Sequence, residues 1–281
     1  ENYAEAYLRT IARETTDPRP LKTWPYQKSN PIKLFVLAGH RNMEGERAFI
    51  QELGTLEGGA ALLKDNPRIA YKYNLGGGFK VSKGWEPLGP AGAYDTFGPE
   101  LSFGMTLANH GVENVAIAKF THSGSQIIDW TPKGSIAKSR NLYPKFRAFI
   151  KESLKELEDK GHEVELVGIF YHVGENDMSF GPHRQKAAGW LQAMIAQSRI
   201  DLKRPSLKWF VSQQPPTDDE RVNAIDVVTS MKETAAADPH FIHLRAFNLP
   251  EQEKKLVITT GGIVRLGEFI AREYLGEAAK N

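Results

Sequence analysis

Five short apolar runs, set apart by segments of helical period, constrain this chain most. Residues 33–38, 115–120, 164–171, 207–212 and 241–247 read as strands, and 45–54, 101–110, 143–160, 184–199, 219–237 and 263–275 read as helices. A strand that is apolar along its length is covered on both faces. The alternation therefore predicts an α/β fold, a parallel sheet between helical layers joined by right-handed crossovers. Ligands of such sheets bind beyond the carboxyl ends of the strands, so the residues that follow each run are the ones to read for chemistry.

With 281 residues, 41% of them hydrophobic, the chain is long enough for a sizeable core. It shows no internal repeat and no linker. The expected organisation is an N-terminal helix and arm over 1–30, packed on a single domain over 31–281 with a loop-rich insertion at about 56–99. Trp24 and Tyr26 of the arm would be left exposed unless they pack on that domain. The Leu-Gly-Gly-Gly at 75–78 lacks the Lys-Ser/Thr of a phosphate loop.

The formal charge of +2 argues against nucleic-acid or anionic-membrane partners, and runs such as 164–171 are too short to span a bilayer. Absence of cysteine excludes disulfides, thiolate metal sites and a cysteine nucleophile. His240 and His243 have no third ligand nearby, so neither a metal nor another cofactor is expected. The chain opens on Glu1 with no visible leader.

The first run ends in Gly39-His40-Arg41-Asn42-Met43-Glu44-Gly45. Further along come Phe97-Gly98-Pro99-Glu100 with Phe103-Gly104, then Lys119-Phe120-Thr121-His122-Ser123-Gly124-Ser125 with Asp129-Trp130. Two more blocks are Tyr171-His172-Val173-Gly174-Glu175-Asn176-Asp177 and Thr259-Thr260-Gly261-Gly262-Ile263-Val264-Arg265-Leu266-Gly267-Glu268. In this order the blocks resemble the SGNH hydrolases, in their sialate O-acetylesterase and acetylxylan-esterase-like branch. The resemblance spans roughly residues 32–274 in ordered patches. It implies a flavodoxin-like three-layer α/β/α sandwich, a carbohydrate partner, and a secreted or periplasmic location.

The resemblance also assigns roles that this chain does not fill. The nucleophilic serine of the family falls at Arg41 and the preceding glutamine at His40. A guanidinium stays protonated and offers no nucleophilic lone pair. The glutamine that donates to the oxyanion falls at Val173, whose side chain donates nothing. The Asp-x-x-His that supplies the base and its orienting acid falls at Lys254 and Val257, and His243 is the last histidine in the chain. Gly124 matches the glycine whose N–H faces the oxyanion, and Trp130 the tryptophan that flanks the pocket.

Three functional readings follow, besides a purely structural or protein-interaction role for which the sequence offers nothing. In the first, the chain is a pseudoesterase that binds an acidic or acetylated glycan through His40, Arg41, Asn42, His122, Ser123, Gly124, Trp130, Tyr171, Glu175 and Asn176. Arg41 would take an anion through paired hydrogen bonds, and Trp85, Trp130 and Tyr171 would stack on sugars. In the second, lyase or glycosidase chemistry runs on His40, Arg41, His122, His172, Glu175 or Asp177. In the third, an O-acetylesterase uses Ser123, Ser125 or Ser179. Each residue also has a plain alternative: the aromatics as core, the histidines as satisfied loop groups, and Glu175 and Asp177 as acceptors of backbone N–H groups.

Overall fold

The computed structural model of the chain describes residues 18–214, 225–244 and 257–280. Its sheet is mostly parallel, in the order β3-β2-β5-β1-β6-β7-β8, with β4 paired to β2. The strands are β1 (Ile32–Gly39), β2 (Asn66–Leu75), β3 (Lys80–Val81), β4 (Glu86–Leu88), β5 (Val115–Thr121), β6 (Val164–His172), β7 (Trp209–Ser212) and β8 (Phe241–His243). All pairings along β2-β5-β1-β6-β7-β8 are parallel, and β3 and β4 join β2 antiparallel.

The helices are α1 (Arg41–Glu44), α2 (Ile50–Leu53), α3 (Gly59–Leu62), α4 (Glu100–Asn109), α5 (Tyr143–Asp159), α6 (Glu175–Ser179), α7 (Gly181–Asp201), α8 (Ile225–Ala237) and α9 (Thr260–Ala278). The three layers follow from the two-residue side-chain period of β1. Leu34, Val36 and Ala38 point into one core with Phe146 and Ile150 of α5 and Leu191 of α7. Phe35 and Leu37 point into the other, with Leu101 and Phe103 of α4 and Ile263 and Leu266 of α9. A strand buried on both faces has no solvent side, which is why its sequence lacks polar alternation. α5 is the amphipathic case: Phe146, Phe149, Ile150, Leu154 and Leu157 make one buried stripe, and Pro144 sits in its first turn, where no N–H is required.

The expectations drawn from sequence need four corrections. The stretch at 56–99 is not simply loop: it contributes β2, a ten-residue strand parallel to β5, together with β3 and β4. Lys72 and the two tyrosines hid that strand. Tyr71 and Tyr73 are buried, and the Lys72 ammonium reaches Glu156 at 3.0 Å over the ring of Phe149. The helix expected at 45–54 is reduced to the short turns α1 and α2 around Gly45, whose φ of +85° ends α1. The strand expected at 207–212 begins only at Trp209. The strand expected at 241–247 ends at His243 with Leu244 outside it, and 245–247 lie beyond the described residues.

The helix expected at the start of the 1–30 segment and the first part of the one at 219–237 also lie outside the described residues. Two aromatic residues of the arm from Pro18 hydrogen-bond to the rest of the chain. Ala70 N–H donates to the Tyr26 hydroxyl at 2.9 Å, and the Trp24 indole donates to His162 at 2.8 Å.

Candidate functional site

β1, β5 and β6 lie side by side in register, with Gly39 opposite Thr121 on one flank and His172 on the other. Their carboxyl ends therefore bring three of the sequence blocks to one place. The other two are tied to the same point. Asn42, buried on α1, accepts the Ile258 N–H at 2.8 Å; Arg47 bridges to Thr259; and Thr260 Oγ1 accepts the Phe49 N–H at 3.0 Å. A Cβ on Gly45 would lie 1.7 Å from the Phe97 carbonyl oxygen, so only glycine lets the Phe97–Glu100 block approach.

A buried ion pair clamps this arrangement. Lys119 on β5, fully buried, meets Glu100 at 2.7 Å and donates to the carbonyls of Met43 at 3.1 Å and Glu44 at 3.4 Å. The ammonium thereby satisfies carbonyls at the end of α1, and the other Glu100 oxygen accepts the Gly98 N–H. A lysine inside the apolar run Val115–Thr121 was the legible signal for this clamp.

Arg41 stands at the mouth, one third exposed. Its Nε lies 3.1 Å from Glu46 Oε2 and 3.3 Å from Glu175 Oε1. The Nη2 end packs on the turn at Gly124, where a Cβ would come within 3.2 Å of it. Gly124 has φ +78°, the left-handed turn expected of a glycine that re-aims its backbone. Ser123 completes the ring by donating its hydroxyl to Glu46. Glu46 is thus a central member of the site, and the sequence did not single it out because glutamates abound in such turns. Burial pushes the Glu175 carboxyl up, with Arg41 opposing the shift. Among the described residues neither of its oxygens accepts a hydrogen bond.

Behind Arg41 lies a closed network in which counting protons fixes every donor. The Ser125 hydroxyl donates to the His122 carbonyl at 2.6 Å, so its oxygen is left to accept from the Trp130 indole at 3.0 Å and from His40 Nδ1 at 2.8 Å. His40 then carries its proton on Nδ1, and its Nε2 accepts from the Tyr171 hydroxyl at 2.5 Å. All four side chains are buried, and burial lowers the His40 pKa to about 3. His40 is therefore a donor toward Ser125 and not its base.

His172 is similarly buried, with Nδ1 2.8 Å from Ser212 Oγ and a pKa lowered by burial to about 3. Asp177 Oδ2 accepts the Ile127 N–H at 2.9 Å, and burial raises its pKa to about 8. Asn176 is half-buried on the first turn of α6. Val173 is buried, its N–H bonded to Ser212 O. His122 remains accessible at the rim. Its Nδ1–H donates to the Ser123 carbonyl at 2.7 Å.

Of the residues expected to bind, the structure gathers Arg41, His122, Ser123, Gly124 and Glu175 at the mouth, with Asn176 on the helix beside it. Trp130 and Tyr171 are 0% and 1% exposed, so neither ring offers a face to a sugar, and His40 and Asn42 sit beneath the surface. Trp85 lines a different cavity, of about 430 Å³, with Trp24, Glu156 and Lys160. Two carboxyl groups, those of Glu46 and Glu175, face the Nε of Arg41. His243 donates through Nε2 to Gln213 at 2.9 Å, a structural bond. No group of three metal-ligating side chains occurs among the described residues.

A parallel sheet covered on both faces, with its motif blocks converging on the end of β1, defines a protein of the SGNH-like carbohydrate esterase class. The model of the family "carbohydrate esterase, sialic acid-specific acetylesterase" matches residues 31–276, and the chain belongs to that family. Solved structures agree on the fold. A protein of Arabidopsis thaliana is 20% identical with a TM-score of 0.64, covering 88% of this chain and 99% of its own. NanS is 14% identical with a TM-score of 0.61, covering 89% and 99%. A carbohydrate acetylesterase from Xanthomonas citri is 15% identical with a TM-score of 0.59, covering 88% of this chain but 56% of its own. No curated protein sequence matches the chain. None of the described helices is long and apolar enough to cross a membrane.

Proposed function

We propose that this chain is a carbohydrate-binding member of its family that does not run Ser-His-Asp ester hydrolysis. The supporting observation is Arg41. It occupies the sequence position of the nucleophile, is held by Glu46 and Glu175, and fills the space before the Gly124 turn. Ser125, the serine best placed beside that turn, has its proton directed at a carbonyl and is sealed from solvent. Ser123 has a carboxylate, not an imidazole, as its partner. Because the mouth balances its positive charge, the ligand class favoured is a neutral or O-acetylated glycan, with carboxylates and His122 accepting from sugar hydroxyls. Export to the periplasm or cell exterior accords with such a ligand.

The test is proton NMR of the protein with acetylated xylo-oligosaccharides and with O-acetylated sialic acid, followed over hours. The expected record is line broadening of sugar signals with no free acetate, and no serine labelled by a fluorophosphonate. Acetate release would sink the proposal. Signals of new reducing ends or unsaturated sugars would favour lyase or glycosidase chemistry instead. That reading is weakened by His40 and His172, both buried and committed to hydrogen bonds.

A further inference from the structure

We infer that the β2–β3 hairpin is an aromatic platform on which a neutral pyranose lies, its C–H face on Phe79 and Tyr94 and its hydroxyl edge toward His122 and Glu46. This rests on the carbohydrate reading above and adds the subsite that selects the sugar.

Phe79 is 60% exposed, and its ring stands 5.5 Å from that of Tyr94, at an interplanar angle of 41°. A lone exposed phenylalanine means little. This one is held in place from three directions. Gly76 N–H donates to Glu44 at 2.5 Å, and Gly77 N–H to the Thr121 carbonyl at 3.1 Å, which fixes the hairpin tip to α1 and to the end of β5. Lys80, the next residue, donates to the Gly92 carbonyl at 2.8 Å and so holds the strand end beside the Tyr94 segment. Gly77, at φ +64°, lies on the His122 ring so closely that a Cβ there would come 2.4 Å from Cδ2.

The platform is thus continuous with the mouth: Phe79 against Gly76, then Gly77, His122, Ser123, Glu46 and Arg41 follow one another. An aromatic face beside outward hydrogen-bonding groups matches a sugar ring, which presents apolar C–H bonds on its flat side and hydroxyls at its edge. A protein partner fits less well. Phe79, Val81 and Tyr94 make a small patch against the roughly 800 Å² per side of a stable interface. The exposed Ile136, Ile200 and Ile225 lie on other elements. An acidic sugar fits less well because Glu46 and Glu175 face the guanidinium it would need.

The experiment is saturation-transfer NMR and titration of the full chain with cellotetraose, xylotetraose and sialyllactose. The expected result is binding of a neutral tetrasaccharide with saturation strongest on ring C–H protons. Phe79→Ala and Tyr94→Ala should each weaken it by about tenfold, Phe79→Trp should retain it, and Ile200→Ala should leave it unchanged. All variants alter exposed or rim side chains, and their melting temperatures serve as the folding control. Unchanged affinity in Phe79→Ala together with loss in Arg41→Ala would overturn the platform and leave the carbohydrate reading standing. Tighter binding of sialyllactose would overturn the neutral-sugar selection. No binding of any of the three would overturn both this inference and the reading on which it rests.

Discussion

Among individual side chains, burial without full compensation sets the chemistry of this site. Glu175 and Asp177 are both buried acids with raised pKa, yet they differ in kind: Asp177 accepts the Ile127 N–H, and Glu175 faces only the side of a guanidinium. The sign of the Asp177 contribution follows by linkage. Its folded pKa, about 8, lies above the ordinary 3.8, so between those values the folded state binds more protons than the unfolded one. The stability this group contributes is present below about pH 4 and is lost as pH rises toward 8. Asp177→Asn keeps the acceptor for Ile127 and removes the titration. Urea unfolding at a series of pH values should show the variant gaining stability relative to the wild type from about pH 4 to about pH 8; a constant difference would contradict the assignment. His40 and His172 act in the opposite sense, since their neutral forms are the folded ones: acid below about pH 6.5 removes their contribution down to about pH 3.

Among the helices and strands, the short α1 is the part most dependent on its neighbours. Four residues make too little helix to stand alone. α1 persists because Gly45 turns left-handed behind it, Asn42 holds Ile258, and Lys119 reaches its last carbonyls. Lys119→Ala would leave Glu100 buried and unpaired and the Met43 and Glu44 carbonyls without that donor. The expected cost is about 3–5 kcal/mol, the range for breaking a buried ion pair from one side, read as a shift of the chemical-denaturation midpoint. Lys119→Met with Glu100→Gln should recover part of it, because the uncompensated charge is then gone. The β2–β3 hairpin is tied to the same elements through Glu44 and Thr121, so α1, β5 and the hairpin are one mechanical unit around the mouth.

In the molecule as a whole, the sequence blocks converge on the end of β1. The contacts of Asn42 with Ile258, and of Arg47 with Thr259, tie the segment that follows Val257 to α1 and the turn after it. The combined replacement Arg41→Ser, Lys254→Asp and Val257→His is therefore expected to release nitrophenol from nitrophenyl acetate above the background of Arg41→Ser alone. Equal rates would mean that the missing donor at Val173 is the deeper loss. The sandwich was legible in the chain, through runs such as Val115–Thr121 that are apolar on both faces. So was Arg41 at the end of β1, a side chain that offers no nucleophilic lone pair. β2 was not legible, because Lys72 is covered only once Glu156 and Phe149 of α5 arrive, and Tyr71 and Tyr73 only once the opposite core closes on them. Nor did the order of residues reveal that Trp130, Tyr171 and His40 are interior, that Ser125 directs its proton at a carbonyl, that Glu46 faces Arg41, or that Phe79 and Tyr94 stand side by side. Those features emerge on folding, since charge balance, proton direction and exposure depend on residues far apart in the chain, and the convergence of β1, β5 and β6 is what brings them together.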